Sequence, residues 1–583
     1  YKLTTYKFSH INYTNMTSDS EPVPKKAKTA GHAVDIIRPS VTGTESREAL
    51  AAAYKAAQPY PHCVITDICE HDALAAVREE IISNVQATYK ETDLFNMFQT
   101  GDLANLDGLD AESAAKLPTV RALRDALYSP DFRAFVSAVT GCGELSDRTD
   151  CACNVHARGG HLLCHDDVIG TRAVSFIIYL TDPERPWKAE NGGLLELYPQ
   201  DPELKSQPAV FPSASVLPLW NTMAMFAVQP GVSFHSIQEN FTVDQPRMSI
   251  QGWFHRDTPP EGADSATLRQ LQLQSDPRTR DFQLMPGAQP GGSDAAATAG
   301  PLPEAELEVL ARYVNPVYLA EATWPKVAAR FREEGSVQLQ AFLKPELARA
   351  ATAACQAADE RDGLGEGPPP ASYTVGLGPS WEAVGPAFKQ RYLRYSGEPT
   401  GTPEAGSDPG PILERVREEL LTSSAFAHLV EKMTTLRPCT ARGEVRRFRR
   451  GMDYTVAHHG VLAAAPCLDA VLCMLGSGPG AGEAWEGGEV GGYEAYMLAD
   501  DEGEGGAGAA ETAEVYRSPG DAAGESESGV LNISPAANCL SLVLRDEETE
   551  LLKFVKYVSA AAPGSRWDVA MEYQLADDDD DEE

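Results

Sequence analysis

The 583-residue chain predicts an α+β, mainly β protein built as two tandem barrels or jelly rolls with helical buttresses. Three observations carry that expectation. The length exceeds what a single core supports, so two domains plus tails are expected. A run of helical periodicity followed by short strands with Gly, Pro and Asn turns occurs twice. Between the two runs lies "SDPRTRDFQLMPGAQPGGSDAAATAGPLP", a Pro-, Gly- and Ala-rich stretch that reads as a linker. The expected boundaries are a disordered arm over 1–45, a first domain over 46–265, a linker over 266–304, a second domain over 305–575 and an acidic tail over 576–583.

Along the first domain, "HCVITDI" alternates as a strand does, and "HDALAAVREEIISNV" places Leu74, Val77, Ile81 and Val85 at helical spacing. One further helix is expected through "LPTVRALRDALYSPDFRAFVSAVTG". The strands expected next are 173–181, 192–199, 221–228 and 247–255, each bounded by turn residues. In the second domain, helices through "AELEVLARYVNPVYLAEAT", "FLKPELARAATAACQAADERDG" and "ILERVREELLTSSAFAHLVEKM" precede a β-rich tract. The Gly/Glu/Ala-rich stretch 476–530 within that tract reads as surface insertions. Short motifs echo between the halves: "ENGGLLELYP" resembles "WEGGEVGGYEAYM", and "RMSIQGWF" resembles "RWDVAMEY". Two copies of one architecture are therefore expected.

The net charge of −36 disfavours direct contact with a nucleic-acid backbone and suits a basic partner. The terminal "ADDDDDEE" reads as a solvated tail or as an electrostatic lure for a Lys/Arg-rich protein. A short basic cluster, "PVPKKAKTA", resembles a nuclear import signal, so nucleus and cytoplasm are the expected locations. The eleven cysteines form no framework, which points to a reducing compartment. No apolar run reaches the ~20 residues of a membrane span, and the amino-terminal stretch has no secretion-signal pattern.

The chemistry concentrates in "HLLCHDDVIGTRAVSFIIYL" (161–180). Residues i and i+2 of a strand share a face, so His165 and Asp167 aim together while Asp166 points away. Imidazole plus carboxylate is two-thirds of the facial triad that holds Fe(II) with open positions, although an acidic turn would look the same. "QPGVSFHSIQENF" offers His235 in an apolar setting, either a third ligand or a packed core residue. "PRMSIQGWFH" then places Arg247 in the next strand, with Ser249 on the same face. A buried guanidinium requires an anion, and its fork matches a carboxylate. Tyr179 can donate to the same anion. A metal with vacant positions beside a carboxylate clamp is what a 2-oxoglutarate oxygenase needs.

The run "LLCHDDVIGTRAVSFIIYLTD…NGGLLELYP…WNTMAMFAVQPGVSFHSIQENF…RMSIQGWFH" resembles the 2-oxoglutarate- and Fe(II)-dependent prolyl hydroxylases that act on a small-subunit ribosomal protein. "PYPHCVITDI", "DLFNMFQTGDL" and "RRFRRGMDYTVA" extend the resemblance across both halves. It implies tandem double-stranded β-helix (jelly-roll, cupin-like) domains of which only the first binds iron. It implies His165, Asp167 and His235 as iron ligands, and Tyr179 and Arg247, with Ser249, as the 2-oxoglutarate site. The implied co-substrates are 2-oxoglutarate and O2, with ascorbate supporting activity. The implied substrate is a proline of the basic ribosomal protein at the decoding centre, hydroxylated at one or two carbons, with consequences for translation accuracy or termination. In the second half, His458 and His459 have no carboxylate two residues on, and "ETELLKFVKYVSAAAPGSRWDV" has no histidine. That half is expected to bind no iron and to pack or recruit partners such as translation or transcription factors. The rival expectations are a non-catalytic scaffold for such factors and an oxygenase acting on another substrate.

Overall fold

The computed structural model describes residues 5–7, 36–263, 281–287, 301–365, 367–398, 408–457, 466–476, 481–498, 531–545 and 551–576. The chain divides into two compact units near residue 267. Among the described residues no helix is long and apolar enough to cross a membrane.

The strands of the first unit are β1 (Thr5–Lys7), β2 (His62–Thr66), β3 (Gln86–Glu91), β4 (Phe95–Gln99), β5 (Thr149–His156), β6 (His161–His165), β7 (Arg172–Tyr179), β8 (Leu195–Leu197), β9 (Ala214–Val216), β10 (Thr222–Ala227), β11 (His235–Ile237) and β12 (Arg247–His255). They form one jelly-roll-like barrel sheet in the order β2-β10-β7-β12-β5-β4-β6-β11-β8-β9, with β3 joined to β4 and β1 to β3.

Strand parity divides the sheet into two faces. Val174, Phe176 and Ile178 of β7, Met248, Ile250 and Phe254 of β12, and Cys151, Cys153 and Val155 of β5 pack into the core shared with the helices. From the helix His71–Asn84 that core receives Leu74, Val77 and Ile81, all fully buried, each contributing about 1.5–3 kcal/mol. The opposite parity faces the barrel interior. There Ile177 and Tyr179 of β7 cluster with Leu195 and Leu197 of β8 and Val216 of β9, strands far along the sheet path.

In the second unit the strands are β13 (Gln283–Leu284), β14 (Ser336–Gln340), β15 (Trp381–Val384), β16 (Gln390–Tyr395), β17 (Pro438–Phe448), β18 (Tyr454–Thr455), β19 (Cys467–Leu475), β20 (Glu494–Leu498), β21 (Leu531–Ile533), β22 (Cys539–Arg545), β23 (Leu551–Val555) and β24 (Arg566–Leu575). The main sheet runs β14-β22-β19-β24-β17-β16-β15, and a small sheet runs β21-β20-β23. Numbered by order along the chain, the first six strands of both main paths run first, fifth, fourth, sixth, third, second.

Several expectations are corrected. The arm does not extend to 45: Ile36 and Val41 are buried and helices begin at Pro39 and Thr44. Not all of 266–304 is free linker, since β13 pairs with β17 and Met285 and Leu302 are buried. The single helix expected from 117 is two, Pro118–Leu127 and Pro130–Thr140. Pro130 cannot continue the first helix, and Ser129 caps the second by accepting from the Phe132 amide. Within the described part of 476–530, the helix Ala481–Glu486 carries the buried Trp485 and β20 the buried Tyr496, so these elements are not surface insertions. The basic cluster 22–30, His458, His459 and the acidic run from 577 lie outside the described residues.

Candidate active site

Strand pairing assembles the ligand set. His165 ends β6 and His235 begins β11, and the two are direct cross-strand partners with ring centroids 4.2 Å apart. Each imidazole donates its Nδ1 proton to the carbonyl two residues earlier, Leu163 for His165 (2.8 Å) and Ser233 for His235 (2.9 Å). Both Nε2 atoms thereby face Asp167, to which they donate when protonated and beside which they offer a lone pair to a metal when neutral. Phe226 packs edge-on against His235 at 4.7 Å and fixes the ring from the other side.

Asp167 reaches them by a different route from the one read in the sequence. β6 stops at His165, and Asp167 has φ 61°, in the left-handed region that aspartate tolerates. That turn, not strand alternation, brings Oδ1 to 3.3 Å from His165 Nε2 and Oδ2 to 3.4 Å from His235 Nε2. One ligand atom from each residue lies within 4.8 Å of the others, the sole such group among the described residues. Burial pushes the Asp167 carboxyl up, but the two imidazoles overcome it and hold the group well below the usual carboxylate range. Asp167 Oδ2 and His235 Nε2 have no hydrogen-bond partner although both are buried. Two imidazole nitrogens and a carboxylate converging with unsatisfied buried atoms fit a divalent cation such as Fe(II).

Asp166 does point away, and it has its own work. Its Oδ1 accepts from the Val168 amide at 3.3 Å and its Oδ2 from the Gly231 amide at 3.4 Å. Its backbone carbonyl accepts from Ser233 Oγ at 3.2 Å. The turn that carries Asp167 is thus tied to the loop that delivers His235.

The anion side of the site lies on the interior faces of β5, β7 and β12. Arg247 is fully buried, and its Nε donates to the Gly193 carbonyl at 2.7 Å. Its Nη1 stands 3.5 Å from Ser249 Oγ, while Nη2 has no partner. No carboxylate pairs with this guanidinium among the described residues, and burial lowers its pKa. Tyr179 lies across from Ser249 in register, its ring 5.1 Å from the guanidinium carbon and its hydroxyl unpartnered. Burial raises the Tyr179 pKa, so the phenol is a donor. An uncompensated buried cation beside an orphaned phenol is a receptor for a carboxylate.

The Gly192–Gly193 corner makes this approach available. Both residues have φ near 70°, and a Cβ on Gly193 would stand 3.0 Å from Arg247 Cδ and 3.2 Å from the Trp187 ring. Trp187 Nε1 donates to the Gly192 carbonyl at 2.8 Å and closes the corner.

Two features escaped the sequence reading. His156, the last residue of β5, is the register partner of Arg247 and shares its interior face. Neither of its ring nitrogens has a hydrogen-bond partner, and burial, helped by the Arg247 charge, keeps it neutral. Its signal was parity: "CACNVH" alternates, putting Asn154 and His156 on one face. The second is Arg172, whose guanidinium lies 3.5 Å over the Trp253 ring, with Trp253 Nε1 buried and unpartnered.

A family model described as "2OG-Fe(II) oxygenase superfamily" matches residues 151–255. A second, "Oxoglutarate and iron-dependent oxygenase degradation C-term", matches 305–582. The chain is 37% identical over 519 residues to the prolyl 3,4-dihydroxylase OGFOD1 of Ostreococcus tauri, covering 88% of this chain and 95% of that protein. It is 29% identical over 534 residues to the prolyl 3-hydroxylase sudestada1 of Drosophila melanogaster, covering 89% and 83%. With the prolyl 3-hydroxylase OGFOD1 of Xenopus laevis it shares 26% over 539 residues, covering 86% and 83%.

Proposed function

The chain belongs to the 2-oxoglutarate- and Fe(II)-dependent prolyl hydroxylases, and from that premise we propose that its first unit hydroxylates a proline in the basic small-subunit ribosomal protein of the decoding centre. In this reading His165, Asp167 and His235 hold the iron, and Tyr179 and Arg247, with Ser249, hold 2-oxoglutarate; these four, His165, Asp167, His235 and Arg247, form the catalytic set. The observation that carries it is the convergence of three ligand atoms beside a fully buried guanidinium that has no carboxylate of its own.

Bound iron, with 2-oxoglutarate and O2, supplies the oxidant that turns an unactivated prolyl C–H into C–OH and leaves succinate and CO2. The protein orients and desolvates. Arg247 and Tyr179 take the far carboxylate of 2-oxoglutarate by charge-assisted hydrogen bonds, while Leu195, Leu197, Ile177 and Phe226 keep water from the interior. The backbone carbonyls of Leu163 and Ser233 fix the imidazole tautomers, and Asp166 keeps the two ligand loops in step.

The net charge of −36 favours encounter with a strongly basic ribosomal substrate. The same reading takes the two units as copies of one double-stranded β-helix, on the shared strand order, with iron in the first alone and partner recruitment, to translation or transcription factors, in the second. It assigns the protein to nucleus and cytoplasm and gives ascorbate a supporting role.

The test is incubation with Fe(II), 2-oxoglutarate, ascorbate and a decoding-centre loop peptide, read by mass spectrometry. A gain of one or two oxygens that disappears in Asp167→Ala is expected. Succinate formation without peptide oxidation would overturn the substrate and leave the co-substrate assignment standing.

A further inference from the structure

The Arg247 corner of the first unit recurs in the second. Gly491 and Gly492 have φ of 70° and 71°, and a Cβ on Gly492 would meet the Trp485 ring at 2.7 Å, as one on Gly193 meets Trp187. The Gly492 amide donates to the carbonyl of Lys556, one residue past β23, at 3.0 Å, as Gly193 does to that of Glu239, two residues past β11, at 3.0 Å. The Gly492 carbonyl accepts from Arg566, the first residue of β24, as the Gly193 carbonyl accepts from Arg247, the first residue of β12. A buried arginine has therefore been kept on the same carbonyl in both units.

What surrounds it has changed sign. Two residues after the arginine, Ser249 becomes Asp568, which accepts from Arg566 Nε at 3.0 Å and from Arg446 Nε at 2.7 Å. Two residues after the glycine pair, Leu195 becomes Glu494, which pairs with Arg566 Nη2. The third change is at the distal ligand. In the first unit His235 is the cross-strand partner of Leu197, the third residue of β8. In the second unit the cross-strand partner of Tyr496, the third residue of β20, is Lys553. The Lys553 ammonium lies 3.1 Å from Asp469 Oδ2 and 4.0 Å from Glu494 Oε2. Asp568 and Glu494 are almost wholly buried.

We propose that the second unit is a copy of the metal- and dicarboxylate-binding barrel that carries the charges of both ligands as its own side chains, Lys553 in the register place of His235 and Asp568 with Glu494 at the arginine clamp. The proposal rests on the reading of the two units as copies. A buried guanidinium with no ligand is costly, and apolar replacement is the cheaper general solution. Retaining the arginine and adding two carboxylates preserves the barrel by satisfying the clamp internally. Removing Asp568 and Glu494 takes away two negative charges, which is what one bound dicarboxylate brings. The ligand class of the latent site is thus a small dicarboxylate.

The test uses the full chain with Arg247→Ala, which disables the first unit's clamp, and titrates succinate and 2-oxoglutarate by calorimetry. Arg247→Ala alone is expected to bind both at least about tenfold more weakly than the native chain. Adding Asp568→Ser and Glu494→Leu, the residues of the first unit, is expected to create binding to succinate about tenfold or more tighter than to acetate, and a melting temperature raised by succinate but not by chloride of equal ionic strength. A folded triple variant that binds no dicarboxylate overturns the proposal. Should the triple variant not fold, Asp568→Ala in the otherwise native chain is expected to lose stability that formate restores and chloride does not; equal restoration by both, or by neither, overturns it. Either failure leaves the first unit's assignment intact, because that is read from the native chain and Asp167→Ala.

Discussion

Replacing Arg247 by methionine separates a ligand-binding cation from a structural one. In the protein without co-substrate the guanidinium makes one good hydrogen bond, to the Gly193 carbonyl at 2.7 Å, and a long contact to Ser249. Losing that bond strands the Gly193 carbonyl, at a cost of about 1–3 kcal/mol. Against this, methionine fills similar volume and removes a buried unpaired charge, an exchange often stabilising by about 1–4 kcal/mol. The ligand-free protein should therefore be destabilised by no more than about 2 kcal/mol. Binding tells the other way. A hydrogen bond to a charged group contributes about 1.5–3 kcal/mol, so 2-oxoglutarate affinity should fall by about 10- to 150-fold. Thermal denaturation of the ligand-free variant and calorimetric titration with 2-oxoglutarate measure the two quantities independently. A variant that loses more than about 3 kcal/mol of stability and keeps its 2-oxoglutarate affinity would refute the reasoning, since that is the signature of a cation needed only by the fold.

His156→Phe, which installs the aromatic that the second unit has at Phe448, the register partner of Arg566, should raise the KM for 2-oxoglutarate by about 2- to 10-fold and leave the KM for peptide unchanged; steady-state kinetics with each substrate varied in turn decides it. Asp166→Ala should weaken metal binding by about tenfold by releasing the Gly231 and Val168 amides from the carboxylate, with Asp166→Asn partly restoring it; direct metal titration is the readout, and unchanged affinity would remove Asp166 from the positioning set. Asp150 is held at about 2 because its bonds from His255 and Arg148 outweigh burial, so its contribution to stability is present above the ordinary carboxylate range and is lost as the pH falls towards 2. His255→Gln should therefore shift the acid-unfolding midpoint of the first unit to higher pH, followed by circular dichroism; an unchanged midpoint would show that the Asp150–His255 pair does not govern acid stability.

The sequence made the strand residues of the site readable because each was a polar side chain interrupting an apolar alternation. His235 in "VSFHSI", Arg247 in "RMSIQGWF" and Tyr179 closing "AVSFIIY" stand out for that reason, and the structure brings all three to one interior. Parity alone would have added His156. Asp167 was found by the right residue type and a mistaken geometry, since strand alternation does not foresee a left-handed turn. Two partners of Asp166, Gly231 and Ser233, lie more than sixty residues away, and no local pattern encodes those contacts. The helix break at Pro130 was legible from the proline itself. In the second half the echo of "ENGGLLELYP" in "WEGGEVGGYEAYM" was visible, whereas the register place of His235 taken by Lys553 emerges only from strand pairing.

The pairing of β6 with β11 also bears on how the protein comes to hold its metal. His165 and Asp167 are neighbours in the chain, but His235 meets them only when two strands separated by the whole β7–β10 segment have paired. A nascent chain offers only the His165–Asp167 pair in this region, so the three-ligand set must wait for closure of a long loop, the slow kind of folding event. Cobalt or iron uptake during refolding is then a clock for barrel completion, and its rate should follow the rate of closure, independent of metal concentration once metal is in excess. The expected order is barrel closure first and metal uptake after it.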